Sequence, residues 1–96
     1  IVDCGARLDM YCGDLTRTYP VSGSFTKRQK EIYTAVLETQ QHLAAIVQPG
    51  WWLRNDEQKE KSLYHEMVKQ LRDRGLENYI SHGVGHFLGL DVHDVG

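Results

Sequence analysis

The chain has 96 residues, 41% of them hydrophobic and 25% charged, with a formal net charge of −2. That length allows one domain at most with a modest buried fraction, and the charge leaves no electrostatic footprint for nucleic acid. No apolar run approaches the roughly 18 residues of a membrane span, and no secretory leader opens the chain, so no membrane partner and a cytoplasmic location are expected.

A β-hairpin is expected first, its strands near residues 2–5 and 10–16 and its polar turn near Arg7, Leu8 and Asp9. The simplest register sets Asp3 opposite Asp14, with both carboxylates on one face. Two opposed like charges destabilise a sheet unless something positive lies between them, and a divalent cation would serve. In that register Cys12 shares the Asp14 face and Cys4 lies on the other. No disulfide is therefore expected, and both cysteines read as reduced and fairly buried.

Pro20 ends the second strand, and Ser22, Gly23 and Ser24 read as a turn. Thr26 and Gln29 have the spacing of a capping box that opens a helix. Ile32, Val36, Leu43 and Val47, with Tyr33 and Ala44 beside them, form an apolar stripe expected to face the core. Pro49 and Gly50 stop that helix, and His42 is expected to be partly exposed on it. Trp51 and Trp52 read as a plug between two helices. Asn55 or Asp56 can cap a second helix, buried through Leu63, Met67 and Leu71 with Tyr64 and Val68. His65 beside that stripe reads as structural, and Gly75 closes the helix in the left-handed position. Residues 76–80 make a short connector or strand.

The tail from Ser81 to Gly96 holds three of the five histidines among several glycines. Histidine is the commonest metal ligand and the neutral-pH proton carrier. His82 and His86 have helical spacing, but Gly83, Gly85 and Gly89 argue against a helix. Loop and strand are expected instead, with residues 82, 84 and 86 on one face. One imidazole seldom makes a metal site, and the acids that could join it lie at the other end of the chain.

Asp3, Asp14 with the following Thr16 to Pro20, His82-Gly83-x-Gly85-His86, and Gly89 to Asp94 together resemble the pita-bread metallopeptidases. The wording fits their proline-specific branch, aminopeptidase P and prolidase, better than methionine aminopeptidase. The resemblance runs from Asp3 to Phe25 and from Ser81 to Gly96, with a looser helical middle. It implies an α+β fold, part of a pita-bread catalytic domain built from a hairpin, two helices and a strand-loop. It also implies two divalent metal ions held by two Asp, one His and two Glu, and hydrolysis of an Xaa-Pro bond by a metal-bridging hydroxide.

Carried over residue by residue, the resemblance makes Asp3, Asp14 and His86 metal ligands. His82 would line the pocket for the prolyl residue, and His93 would donate a hydrogen bond to the scissile carbonyl as a catalytic residue. Thr16 would hydrogen-bond the liganding carboxylates. A site of carboxylates and one imidazole without thiolates suits Mn²⁺, with Zn²⁺ or Co²⁺ as substitutes. Neither glutamate has a matching context here. The chain begins at Ile1 and stops directly after a motif, so both ends read as cut. The 96 residues thus read as about the first half of a catalytic domain, inactive alone. The parent is expected to be a homo-oligomer acting on proline-containing peptides. The contrasting reading is a member of the fold that has lost its metals and serves as a binding or scaffold module.

Overall fold

The computed structural model describes residues 1–96 as four short strands and two helices. They fall into two compact units, each taken by itself: Ile1–Phe25 with His86–Gly96, and Thr26–Gly85.

The first unit is a hairpin with the C-terminal segment. Strand β1 (Val2–Cys4) pairs antiparallel with β4 (Leu15–Arg17), and β2 (Arg7–Leu8) pairs with β3 (Tyr11–Cys12). Both pairings share one register, in which Asp3 lies opposite Thr16 and Arg7 opposite Cys12. The expected register, with Asp3 facing Asp14, is therefore two residues out. The cause is the turn: Asp9 (φ 48°) and Met10 (φ 72°) both take the left-handed conformation, making a two-residue loop that matches strand twist. Between the two ladders the strands pass closely, and a Cβ on Gly5 would run into the Gly13 carbonyl. Gly13 N–H donates to Ala6 O at 2.7 Å. Neither cysteine forms a disulfide, as expected, but Cys4 is exposed and Cys12 half-buried.

The second unit is helical. Helix α1 (Lys27–Ile46) opens with the expected capping box: the Thr26 hydroxyl accepts from Gln29 N–H, and the Gln29 side chain accepts from Thr26 N–H. Its buried face differs from the apolar stripe. Ala35 and Thr39 are buried, whereas Ile32, Val36 and Val47 are exposed by 40% to 54%. Helix α2 (Leu63–Arg72) is the packing partner of α1, and small residues allow two helices to approach closely. Thr39 satisfies its hydroxyl on Ala35 O, one turn back. His42 Nε2 meets Glu66 Oε1 at 2.9 Å, which joins the two helices.

Helix α2 begins later than expected. Asn55 does cap, but its carboxamide accepts from Glu57 and Gln58 N–H and so folds a turn, not the helix. A turn of 3₁₀ helix at Lys59–Lys61 follows, and α2 starts after Ser62. Ser62 is fully buried; its hydroxyl oxygen accepts from Asn55 N–H at 3.1 Å and pairs with His65 Nδ1 at 2.8 Å. His65 Nε2 reaches Asp56 Oδ1 at 3.3 Å, so this histidine is structural. Trp52 is more than half exposed and is tied in by its backbone, which bridges Lys61 and Leu63. The C-terminus of α2 is a Schellman motif at Gly75 (φ 71°), with Gly75 N–H on Arg72 O and Leu76 N–H on Leu71 O. No helix is long and apolar enough to cross a membrane.

Two stability outcomes follow. Ser62→Ala leaves the half-buried Asn55 amide and an imidazole nitrogen of His65 without their partner, and urea unfolding should register a loss of about 1–3 kcal/mol. Glu66 is held below its ordinary value near 4.5, first by the Gln70 amide and then by His42. A depressed carboxyl stabilises the fold above that ordinary value and loses the contribution as pH falls through the folded-state value. Glu66→Gln should therefore cost about 1 kcal/mol at pH 7 and nothing once the carboxyl is protonated.

Candidate metal centre

Four of the five residues singled out from sequence lie in the first unit, and three of them, Asp14, His86 and His93, meet. Asp14 follows Gly13, directly before β4, and its Oδ2 lies 3.0 Å from His86 Nε2. The other ring nitrogen of His86, Nδ1, donates to Phe87 O at 2.9 Å. Both nitrogens thus face acceptors. The Phe87 carbonyl is the largest influence raising the pKa of His86 above the ordinary imidazole value, with the Asp14 carboxylate and the Val92 carbonyl adding to it. The His93 ring stands edge-on to His86, with centroids 4.2 Å apart and planes at 80°.

Asp3 is placed differently. It lies on β1 opposite Thr16, whose hydroxyl donates to Asp3 Oδ1 at 2.9 Å. Thr16 is therefore the carboxylate partner that the resemblance implied, for Asp3. Asp14 stands two residues before Thr16 on the opposing segment, the diagonal neighbour of Asp3; in a regular ladder such neighbours are about 7–8 Å apart. No group of three His, Cys, Asp or Glu side chains is close enough to hold a metal ion. What converges is the Asp14–His86 pair.

His82 belongs to the helical unit, where its ring is exposed and Nδ1 lies 2.8 Å from Gly83 O. The expected strand through residues 82, 84 and 86 does not form, and this segment is loop. Residues 76–80 carry a 3₁₀ turn at Glu77–Tyr79.

Two residues with weight at this centre carried no assigned role in the sequence reading. Cys12 ties the hairpin to the tail, its N–H donating to Gly89 O at 2.7 Å and its thiol to Leu90 O at 3.2 Å. Asp94 accepts from Val95 N–H at 2.8 Å through one oxygen and from Leu90 N–H at 3.0 Å through the other. These backbone bonds lower its pKa, Val95 first, then Asp91 and Leu90. The available signal was an aspartate beside a glycine-rich loop, where carboxylates often bond nearby amides.

The donor set fits a hard divalent cation. Metal-bound histidine commonly donates its second N–H to a backbone carbonyl, as His86 does to Phe87. The 3.0 Å between Asp14 Oδ2 and His86 Nε2 is the length of a direct hydrogen bond, in which the imidazole donates to the carboxylate.

Comparison with known proteins gives the family. The family model described as metallopeptidase family M24 matches residues 1–96. An Xaa-Pro aminopeptidase of Haemophilus influenzae is 37% identical over 107 residues, covering 100% of this chain and 25% of that protein. The human Xaa-Pro aminopeptidase 3 is 38% identical over 104 residues, covering 98% of this chain and 20% of that protein. Among solved structures, the prolidase from Pyrococcus horikoshii superposes with a TM-score of 0.82 at 37% identity, over 96% of this chain and 24% of that one. The chain spans a fifth to a quarter of the length of these relatives. With the expected α+β pita-bread architecture and the match along its whole length, the chain belongs to metallopeptidase family M24.

Proposed function

We propose that these 96 residues are about the first half of the catalytic domain of a cytoplasmic, homo-oligomeric metallopeptidase that cleaves Xaa-Pro bonds, either at the N-terminus of peptides or in dipeptides. The observation that carries the reading is the meeting of Asp14 and His86 at 3.0 Å with His93 edge-on beside them. The relatives named Xaa-Pro aminopeptidase and prolidase support the substrate class.

In this reading Asp3, Asp14 and His86 hold divalent metal, two ions in the whole domain, with the remaining ligands supplied by glutamates outside these residues. Oxygen-rich donors with one imidazole favour Mn²⁺, with Zn²⁺ or Co²⁺ able to substitute. When bound, such ions supply Lewis acidity, polarising the scissile carbonyl and lowering the pKa of water at the site.

The chain's own residues do the rest. Phe87 O fixes the His86 proton on Nδ1 and leaves Nε2 as the ligand atom. Thr16 orients the Asp3 carboxylate through its hydroxyl. His93 donates a hydrogen bond to the carbonyl oxygen as negative charge develops there, a contribution whose loss costs about 10²–10³ in rate. His82 offers an exposed ring against the prolyl residue after the scissile bond.

The test is the full-length protein with Gly-Pro and Gly-Pro-Xaa substrates, with and without Mn²⁺. Metal-dependent cleavage of either is expected, and which one is cleaved separates prolidase from aminopeptidase behaviour. No cleavage of either under metal loading would refute the reading. The metal assignment has its own measurement. His86→Ala and Asp14→Asn should each weaken Mn²⁺ binding to the full-length protein by at least about tenfold by calorimetry. The 96-residue chain alone should bind Mn²⁺ weakly, and two tight sites on it would contradict the ligand set.

A further inference from the structure

The segment after His86 has no strand to fix it. Between Phe87 and Asp94 the chain makes a single antiparallel bridge and otherwise bends. A ring placed on such a loop sweeps through many positions unless the backbone beneath it is tied. His93 lies on this loop, with its ring edge-on to His86. Something else has to fix its Cα.

Asp94 brackets it. One carboxylate oxygen takes Leu90 N–H at 3.0 Å and a longer contact from Asp91 N–H at 3.5 Å, both before His93. The other takes Val95 N–H at 2.8 Å, after it. The Asp94 amide donates to Phe87 O at 3.1 Å, and the same oxygen accepts the His86 Nδ1 proton. One carbonyl therefore couples the orientation of the His86 ring to the residue that holds the His93 backbone. Gly89 completes the arrangement: the Asp94 Oδ2 atom occupies the space that a Cβ at position 89 would need.

We propose that Asp94, seated against Gly89, is a positioning residue that sets the His93 ring beside His86. The function of that ring rests on the peptidase reading above; the placement itself does not. The Asp94 carboxylate bonds backbone amides on either side of His93, and a side-chain substitution keeps the Asp94 amide on Phe87 O, so the loss should act through His93.

Two measurements decide it. In the full-length Mn²⁺-loaded protein, Asp94→Ala should lower kcat on an Xaa-Pro substrate by about 10–100-fold, with KM and Mn²⁺ affinity changed little. In a His93→Ala background, the same substitution should cost about twofold or less, because the two act as one unit. Gly89→Ala should reproduce the defect in the wild-type background and add little to Asp94→Ala, which vacates the space. Losses that multiply, a fall in Mn²⁺ affinity matching the fall in kcat, or an unchanged kcat would each overturn the proposal. Should Asp94→Ala fail to fold, Asp94→Asn, which keeps one acceptor oxygen, enters the same cycle. The second measurement is nuclear Overhauser contact between the His86 and His93 rings, which needs no catalysis. Those contacts should be present in the wild type and weakened by Asp94→Ala while the amide signals of α1 and α2 stay in place. Unweakened contacts would overturn the placement. A wild type that cleaves no Xaa-Pro substrate refutes the peptidase reading and leaves the ring contacts to decide this one.

Discussion

The centre depends on a closure between the two ends of the chain. Cys12 N–H to Gly89 O at 2.7 Å, the Cys12 thiol to Leu90 O, and Asp14 to His86 join residues more than 70 positions apart. Bringing distant residues together costs entropy that grows only slowly with loop length. A few hydrogen bonds on a rigid hairpin can therefore hold such a closure, provided the hairpin has a single register. That register comes from the Asp9–Met10 turn, where two consecutive left-handed residues match the strand twist. A slip by one residue would turn every side chain to the other face, carrying the acids away from the imidazole.

The parts that could be read from sequence are those where one residue type has one physical use. Thr26 and Gln29 satisfy each other's helix-end donors, and Gly75 takes a left-handed angle that other residues resist. The acids and histidines stand out because their spacing matches a known ligand pattern. The register did not stand out, since Asp9-Met10 lacks the glycine that usually announces a tight hairpin turn. Nor did the buried face of α1. Apolar periodicity points to Ile32 and Val36, yet Ala35 and Thr39 are buried, with α2 as the helix packed on α1. Hydrophobicity ranks residues by what they gain from burial, and says nothing of which neighbour is small enough to approach. The start of α2 is hidden in the sequence for a related reason. Asn55 has the chemistry of a cap, but the Ser62 hydroxyl draws Asn55 N–H and His65 into a buried polar knot, and the helix begins only after it.

Charge balance explains how the centre holds together as a protein surface. Asp3 and Asp14 are like charges in diagonal positions across the hairpin, not directly opposed. Each has its own compensation: the Thr16 hydroxyl for Asp3, and the His86 ring, favoured in its protonated form, for Asp14. The repulsion is thus met locally, and neither carboxylate needs to swing away. Under the ligand roles proposed, this has a consequence for binding. The His86 imidazole already faces the Asp14 carboxylate at 3.0 Å. A cation held by these residues would take the place of the proton between Asp14 and His86, and the Phe87 carbonyl would hold the ring through its other nitrogen. The ordering of these groups is done during folding, by hydrogen bonds that also stabilise the hairpin and the tail. Groups ordered before a ligand arrives leave less entropy to be lost on binding, even where they lie largely on loops.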